Sequence, residues 1–417
     1  MRGSRAVAAT SALAPFEVRS FRFQWPADLL TSWAFEMETL ILGWYVLVET
    51  DSVLLLTVFG SLQFLSTLIA PMFGVVADRL GRRTVLCAMR AIYGVLALIL
   101  LILALSGVLN AYWVMGIGLL AGLVRPSDLV MRNALIGDTV PGVWLAKAIG
   151  LSRITMDTAR IAGALAGAGL FSILGIGPAY MAVVGLYGIS LALTFGVASP
   201  RPGQAAAPAA SPPESPPESP WQELKASFVF VRNTPEVLAL MLLAFLVNLT
   251  AYPVAMGLLP YVAREIYAID QNGLGHLVAG YACGALIGSV AMILLGGARH
   301  PGRVMVLCIV AWYVLMAIFA QQQAKWPGFA SLLAIGVAQS IAMIAMSVTL
   351  LRITPERFRG RIMGMRMLAV YGLPVGLLGA GVPVEGTGFP IAIGVYALFG
   401  ILCTGCITLG WRTVIWR

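Results

Sequence analysis

Charged side chains and histidine are scarce in this chain. Only 11% of its 417 residues are charged and 2 are histidine, whereas about a quarter of the residues in soluble domains are charged. This scarcity excludes an ordinary soluble enzyme. No set of His, Cys or acidic residues has metal-ligand spacing, and no glycine-rich phosphate-binding loop is present. We therefore expect a protein that is not an enzyme and needs no metal or other cofactor.

Cysteine is also sparse, and its placement argues against redox chemistry. The 5 cysteines all lie in or at the ends of apolar stretches. Cys403 and Cys406 have C-x-x-C spacing, but they lie in a predicted helix without a nearby basic residue that would activate a thiol. We interpret the cysteines as small apolar packing residues.

Long apolar runs dominate what the sequence does contain. Hydrophobic residues make up 59% of the chain, and a run of about 20 such residues is long enough to cross a bilayer as a helix. We predict an all-α polytopic membrane protein with twelve transmembrane helices, near residues 27–50, 53–76, 84–106, 111–131, 148–173, 178–198, 236–259, 273–296, 304–322, 328–350, 362–384 and 389–411.

The distribution of positive charge predicts the orientation of these spans. Lysine and arginine lie mostly in the loops of one side, and only Arg264 and Lys325 fall in loops of the other side. The positive-inside rule then places both termini in the cytoplasm. Much of the net charge of +9 therefore reports topology, and we expect no nucleic-acid partner.

A proline-rich segment divides the chain into two halves. Residues 199–220 read SPRPGQAAAPAASPPESPPESP, which cannot form a stable helix and carries too little apolar surface to order itself. We predict a cytoplasmic N-terminal tail over 1–22, a six-helix bundle over 23–198, a cytoplasmic linker over 199–222 and a second six-helix bundle over 223–417.

A short charged turn separates the second and third predicted spans. Residues 74–83 read GVVADRLGRR, and the pattern G-x-x-x-D-R-x-G-R-R resembles the signature of the loop between the second and third helices of the major facilitator superfamily of secondary transporters. The resemblance implies two six-helix bundles with substrate held between them. It also implies a conformational latch, formed by Gly74, Asp78, Arg79, Gly81, Arg82, Arg83, Arg359 and Arg361.

Other segments narrow this resemblance to a branch of exporters. Residues 132–136 (RNALI), 159–167 (ARIAGALAG) and 356–364 (ERFRGRIMG) are similar to the branch that includes the enterobactin exporter and macrolide efflux proteins. That branch favours Gly-Pro in its fifth helix, where this chain has Gly163 and Ala164. It also contains lysophospholipid transporters, so the resemblance does not select a substrate.

Glu36 and Glu38 are the most central acidic residues of the predicted spans. They lie roughly 15 Å from the cytoplasmic end of the first span, where an ionisable group is costly and usually functional. Because they point about 200° from each other, one can line the pathway while the other pairs with a neighbouring helix. We predict that they couple transport to protons. The alternative is a permanent ion pair with Arg125 or Arg90.

Two further charged groups are candidates. Arg125 in the fourth span is predicted to bind an anionic substrate or to modulate the glutamates, and its alternative is a buried structural pair. Asp157 in the fifth span follows Arg153 by four residues and precedes Arg160 by three, so self-pairing on one helix face is the default. If that pairing opens during the cycle, Asp157 becomes another proton-coupling residue.

The second half supplies neutral polar and aromatic candidates, because Arg366 is its only central charge. With Arg125 and the first-span Trp33, these residues are predicted to bind the substrate: Asn248, Tyr252, Gln339 and Tyr371. The alternative for the aromatic residues is ordinary packing or interfacial anchoring.

The sequence thus predicts a secondary active transporter that exports a small amphipathic organic molecule, such as a drug, siderophore or metabolite, in exchange for protons. We expect a monomer in the lipid bilayer of the bacterial cytoplasmic (inner) membrane, powered by the proton gradient and working by alternating access. Two alternatives share the fold, a lysophospholipid flippase and a proton-coupled uptake symporter. A third is a non-transporting sensor or assembly protein.

Overall fold

A computed structural model describes residues 13–64, 73, 76, 77, 79–198, 231, 233–295, 299–354, 362, 366 and 368–412. Within these residues, all regular secondary structure is helical. The linker over 199–222 and the N-terminal residues before 13 lie outside them. The helices, in chain order, are α1 Arg19–Thr50, α2 Val53–Leu62, α3 Arg82–Leu105, α4 Ala111–Thr139, α5 Gly142–Leu174, α6 Ile176–Thr194, α7 Pro235–Ile266, α8 Gln271–Leu294, α9 Pro301–Ala320, α10 Lys325–Ile353, α11 Ala369–Thr387 and α12 Phe389–Gly410.

These helices confirm the predicted all-α, twelve-helix fold, because each predicted span overlaps one of them. Among the described residues, nine helices are long and apolar enough to cross a membrane, namely α3, α4 and α6 to α12. Helix α2 is a shorter apolar helix of 10 residues. Helices α1 and α5 have 32 and 33 residues, and charged side chains interrupt their apolar sequence.

Helix α1 begins at Arg19, within the residues that the sequence assigns to the N-terminal tail. Phe21 is fully buried and clusters with Ile136, Val140 and Ala148. The Gln24 side-chain amide donates a hydrogen bond to the Arg132 carbonyl oxygen over 2.9 Å. The first turns of α1 are therefore held by apolar packing and a polar contact rather than left in solvent.

The described residues divide into two compact units. The first lies within Met1–Glu49 and Leu62–Ala210, and the second within Thr50–Ser61 and Ser211–Arg417. All of α2 except its last residue thus belongs to the second unit, where the Ser61 hydroxyl donates to the Pro374 carbonyl oxygen over 3.1 Å. Asp51, just before α2, forms a 2.6 Å ion pair with Arg264 at the end of α7.

In the first unit, glycine residues allow α1 and α5 to pack at a short distance. A Cβ added at Gly163 would lie 2.8 Å from the Glu36 Cβ, and one added at Gly167 would lie 2.9 Å from the Met37 Cα. Such distances require the absence of a side chain, as in other close helix contacts within membranes. The two helices therefore bring their polar residues within reach of each other.

Glycine residues also allow close helix packing in the second unit. A Cβ at Gly284 of α8 or at Gly336 of α10 would collide with the backbone of the facing helix, as would one at Gly372 of α11 against α7. Helix α7 also contains two π-helical turns, Val254–Leu258 and Val262–Ile266. Prolines interrupt the α-helical hydrogen-bond ladder here, at Pro253 and Pro260.

Candidate functional site

Glu38 is a buried carboxylate at the centre of the first unit. Glu38 lies near the middle of α1 and is 7% exposed. The Tyr187 hydroxyl of α6 donates a hydrogen bond to Glu38 Oε2 over 3.0 Å. Arg125 Nη2 of α4 lies 3.4 Å from the same oxygen. Three helices thus meet at one carboxylate oxygen.

Arg125 is held at a break in α4. The helical segments on either side are Ala111–Gly122 and Arg125–Thr139. Its guanidinium donates to the Thr39 hydroxyl over 2.9 Å, to the Phe35 carbonyl oxygen over 3.2 Å and to Gln63 Oε1. The guanidinium carbon also lies 4.2 Å from the centre of the Phe35 ring. Arg125 therefore retains neutral acceptors in addition to its contact with Glu38.

Glu36 faces a different neighbour, as the angle between the two glutamates predicts. Its Oε1 lies 3.4 Å from Arg160 Nε of α5. The side chains of Glu36 and Arg160 are 28% and 32% exposed. The pair is therefore accessible, in contrast to the buried contact between Glu38 and Arg125.

Asp157 lies on the same helix as Arg160 and pairs along that helix. Its Oδ2 is 3.6 Å from Arg153 Nε, and the two side chains are 17% and 71% exposed. This is the i,i+4 pairing that the sequence spacing predicts. Arg160, the other flanking cation, reaches across to Glu36.

A second charged cluster surrounds Asp28, which the sequence analysis did not assign to the site. Asp28 Oδ1 pairs with Arg90 of α3 and lies 3.7 Å from Arg132 Nε of α4. Arg132 also pairs with Asp128 on its own helix, and Arg90 contacts the Thr194 hydroxyl. Each of the four charged residues is at most 5% exposed. The two cations and two carboxylates can therefore neutralise one another inside the unit.

A signal for this cluster is present in the sequence. Asp28 and Arg90 are isolated charges near the N-terminal ends of the first and third predicted spans. A lone acid and a lone base at similar depth are candidates for pairing, because each is costly alone. The contact itself requires that α1 and α3 be neighbours with these faces turned together.

Four of the eight predicted latch residues lie among the described residues. Arg82 Nη1 pairs with Asp138 Oδ1 of α4 over 2.5 Å, and Arg83 donates to the Phe195 carbonyl oxygen at the end of α6 over 2.5 Å. Gly81 has a φ of +87°, which favours glycine, and Arg79 is exposed. The other predicted latch residues lie outside the described residues: Gly74, Asp78, Arg359 and Arg361.

The neutral substrate candidates of the second unit are only partly brought together. Gln339 Nε2 of α10 donates to the Tyr252 hydroxyl of α7 over 2.7 Å, and the Tyr252 ring meets Trp312 edge-on with centroids 5.0 Å apart. Asn248 donates to the Ala244 carbonyl oxygen of its own helix over 2.8 Å. Tyr371 is half-buried in the first turn of α11.

The remaining candidate, Trp33, belongs to the first unit. It lies on α1 one turn before Glu36, and its backbone contacts Gly163 of α5. Its indole Nε1 is buried and has no hydrogen-bond acceptor among the described residues. No group of three or more His, Cys, Asp or Glu side chains in the described part of the chain could hold a metal ion.

Comparisons with known proteins identify the shared fold. The sequence profile of the Major Facilitator Superfamily matches residues 29–380. No curated protein matches the chain. The crystal structure of the nucleoside transporter NupG is similar with a TM-score of 0.73 at 15% identity, covering 94% of this chain and 99% of that transporter.

Two other solved structures are similar over comparable lengths. The POT family transporter PepTSo has a TM-score of 0.72 at 14% identity, covering 95% of this chain and 98% of PepTSo. A bacterial homolog of the human lysosomal transporter Spinster, in an inward-facing conformation, has a TM-score of 0.65 at 14% identity, covering 95% of this chain and 96% of that protein. At these identities the likeness shows the fold and does not transfer a substrate.

Proposed function

The chain belongs to the Major Facilitator Superfamily, a family of transporters, and from that premise we propose that it exports a small amphipathic organic molecule in exchange for protons. The observation that carries this proposal is the carboxylate of Glu38, buried between α1, α4 and α6 and paired with Arg125. A proton-coupled transporter needs a group that gains and loses a proton as the surrounding helices rearrange.

Protonation of Glu38 changes the contacts that join three helices. The deprotonated carboxylate accepts from Tyr187 and attracts Arg125. The protonated acid loses its charge, while Arg125 keeps Thr39, Gln63 and the Phe35 carbonyl oxygen as acceptors. Protonation thus weakens the link between α1 and α4, while the Arg125 guanidinium still has hydrogen-bond acceptors. Binding of the proton and the helix arrangement are thereby coupled.

The contacts of Arg125 also bear on its own role. In this conformation four protein groups accept hydrogen bonds from its two Nη atoms, and its buried Nε has no acceptor among the described residues. This supports Arg125 as the counter-ion of Glu38 in preference to a direct clamp for an anionic substrate. Asp157, with its exposed partner Arg153, remains a second proposed site for protons.

Energy for accumulation comes in this proposal from the proton gradient, without a cofactor. One elementary charge moved across 100 mV corresponds to about 2.3 kcal/mol, which is nearly a fifty-fold concentration ratio. We place the protein, as a monomer, in the bacterial cytoplasmic membrane. A lysophospholipid flippase and an uptake symporter use the same fold and remain competing proposals, and a non-transporting sensor is a third.

Proton release from inverted membrane vesicles tests the proposal. Vesicles with an acidic interior receive drugs, siderophores and lysophospholipids in turn, and a pH-sensitive dye reports the internal pH. We expect one compound class to cause alkalinisation in the wild type. Glu38→Gln should abolish that response, because the amide cannot release a proton, whereas Glu49→Gln at the exposed end of α1 should preserve it.

Other results would redirect the proposal. An alkalinisation that survives in Glu38→Gln but not in Glu36→Gln or Asp157→Asn would move proton coupling to that residue. Absence of any response from folded wild-type protein would reject proton-coupled export of these compounds and favour the flippase, the symporter or the sensor.

A further inference from the structure

The buried charge cluster of the first unit contains polar atoms without hydrogen-bond partners. We call Asp28, Arg90, Asp128 and Arg132 the Asp28 cluster. Among the described residues, no partner exists for these atoms of the cluster and of its neighbour Tyr93: Asp28 Oδ2, Arg90 Nε, Tyr93 Oη, Asp128 Oδ1 and Arg132 Nη2. Each of the five residues is at most 5% exposed. Buried polar groups are rarely left unsatisfied, so several in one region indicate a ligand that completes their hydrogen bonds.

Contacts bring these atoms together between α1, α3 and α4. Asp28 pairs with the guanidinium groups of both Arg90 and Arg132. Asp128 pairs with Arg132 on its own helix. Tyr93 follows Arg90 by about one turn on α3, and the charged groups that act most strongly on its hydroxyl are Asp128 and Arg132. The atoms without partners therefore belong to one polar region.

The charges of this region select a neutral ligand. Two carboxylates and two guanidinium groups have a formal net charge of zero. A metal cation would lie beside two arginines, and an anion would lie beside two carboxylates. The atoms without partners are carboxylate acceptors, guanidinium donors and a hydroxyl that can do both. Water is neutral, donates as well as accepts, and typically makes about three hydrogen bonds when buried.

Two tyrosines connect this region to the carboxylate of Glu38. The Tyr93 and Tyr187 rings have centroids 5.8 Å apart, and the Tyr187 hydroxyl donates to Glu38 over 3.0 Å. Their hydroxyls also interact electrostatically with each other. Two hydroxyls that do not bond directly can be joined by a bridging water. The contacts from the Asp28 cluster to Glu38 thus run through two protic side chains.

We propose that the Asp28 cluster binds internal water and that this water exchanges protons with Glu38 through the Tyr93 and Tyr187 hydroxyls. The proton route rests on the proposed function, because it serves the same carboxylate. When the Glu38 acid loses its proton, the Tyr187 oxygen accepts it and Tyr187 passes its own hydroxyl proton on toward Tyr93. Tyr93 in turn gives one proton to the water. Each tyrosine keeps its number of protons, and one proton moves from Glu38 to water.

Radiolytic labelling of the purified protein locates the water. A short X-ray pulse forms hydroxyl radicals from water wherever it lies, and radicals formed inside the protein oxidise side chains that bulk radicals do not reach. We expect several-fold more oxidation at Tyr93, which is 2% exposed, than at Tyr313. Tyr313 is also buried, but its hydroxyl shares a hydrogen bond with Thr250. Equal labelling of the two tyrosines would overturn the water site.

Infrared spectroscopy after photolysis of a caged proton measures proton uptake by Glu38 without any substrate. The relevant signal is the carbonyl band of a protonated acid that Glu38→Gln removes. Tyr93→Phe should slow the appearance of this band about tenfold, which corresponds to about 1.4 kcal/mol in the barrier. The final amplitude should not change, because the ring and its contact with Phe35 are retained. Tyr313→Phe is the matched control and should change neither quantity.

The outcomes separate the parts of the proposal. An unchanged rate in Tyr93→Phe would overturn the proton route, and so would a changed amplitude at an unchanged rate. Absence of any band that depends on Glu38 would mean that this carboxylate takes up no proton, which rejects the route together with proton coupling at Glu38. Labelling of Tyr93 would still establish the water site in that case.

Discussion

Asp28 and Arg90 show how a membrane protein retains charge away from both water and lipid. Their side chains are 4% and 0% exposed, and Arg132 and Asp128 complete a neutral set. Each charge depends on its partners, because an uncompensated buried ion is far more costly than the same ion in water. The residues around Glu36 are under no such constraint, since solvent reaches that pair.

Replacement of Asp28 by asparagine should therefore be strongly destabilising. Asparagine keeps the shape but leaves two arginines facing a single carboxylate, and loss of one partner of a buried pair typically costs about 3–5 kcal/mol. Unfolding of the detergent-solubilised protein by heat or denaturant measures the effect.

Asp51→Asn is the matched control for this substitution. Asp51 also pairs with an arginine, Arg264, but its side chain is 75% exposed, so we expect a loss of about 1 kcal/mol or less. Asparagine also tolerates the positive φ of 49° at this position. Equal destabilisation by the two substitutions would contradict the distinction between buried and exposed pairs.

The contact between α1 and α5 links packing to chemistry at the level of helices. The absence of side chains at Gly163 and Gly167 allows the two backbones to approach, and this approach places Arg160 beside Glu36. The exporter branch that the sequence resembles favours Gly-Pro at this point, where this chain has Gly163 and Ala164. Close packing is therefore preserved by glycine although the proline is missing.

Valine at Gly167 should disrupt this helix pair. A Cβ at that position would lie 2.9 Å from the Met37 Cα, and such overpacking typically costs about 1–3 kcal/mol. Valine at Gly169 offers a control on the same helix, since a Cβ there meets no atom within 4 Å. Thermal stability and monodispersity in detergent should fall for Gly167→Val alone. A comparable loss in both variants would show that the effect comes from the helix propensity of valine and not from its contact with α1.

Two compact units account for the described part of the whole molecule, and most of each unit comes from one half of the sequence. Residues 50–61 are the exception, because they pack in the second unit through Asp51, Gly60 and Ser61. The segment that joins the halves in sequence, 199–222, is compositionally unsuited to packing.

A Gly/Ser segment of equal length in place of residues 199–220 should leave transport unchanged. The entropy of closing a flexible connection depends mainly on its length, and the length is preserved. Transport of the compound identified in the vesicle assay is the measurement. Lost transport with normal expression and stability would show that the proline-rich sequence itself acts, as the sensor or assembly alternative requires.

The sequence by itself determined the class of fold, the twelve spans and the pairings along single helices. Hydropathy summed over about 20 residues is large enough to identify a span whatever its neighbours are. The pairing of Arg153 with Asp157 follows from helical periodicity alone, and it is present in the structure. The angle between Glu36 and Glu38 follows from the same periodicity.

Only the tertiary structure decided which charges meet between helices. It places Arg125 at Glu38, Arg160 at Glu36 and Arg90 at Asp28, whereas the sequence left open whether Arg125 or Arg90 would pair with either glutamate. These contacts depend on which helices are neighbours and on the rotation of each about its axis. The hydropathy of a span is nearly the same for every rotation. The rotation is instead fixed by packing, such as the close approach of α1 and α5 that Gly163 permits.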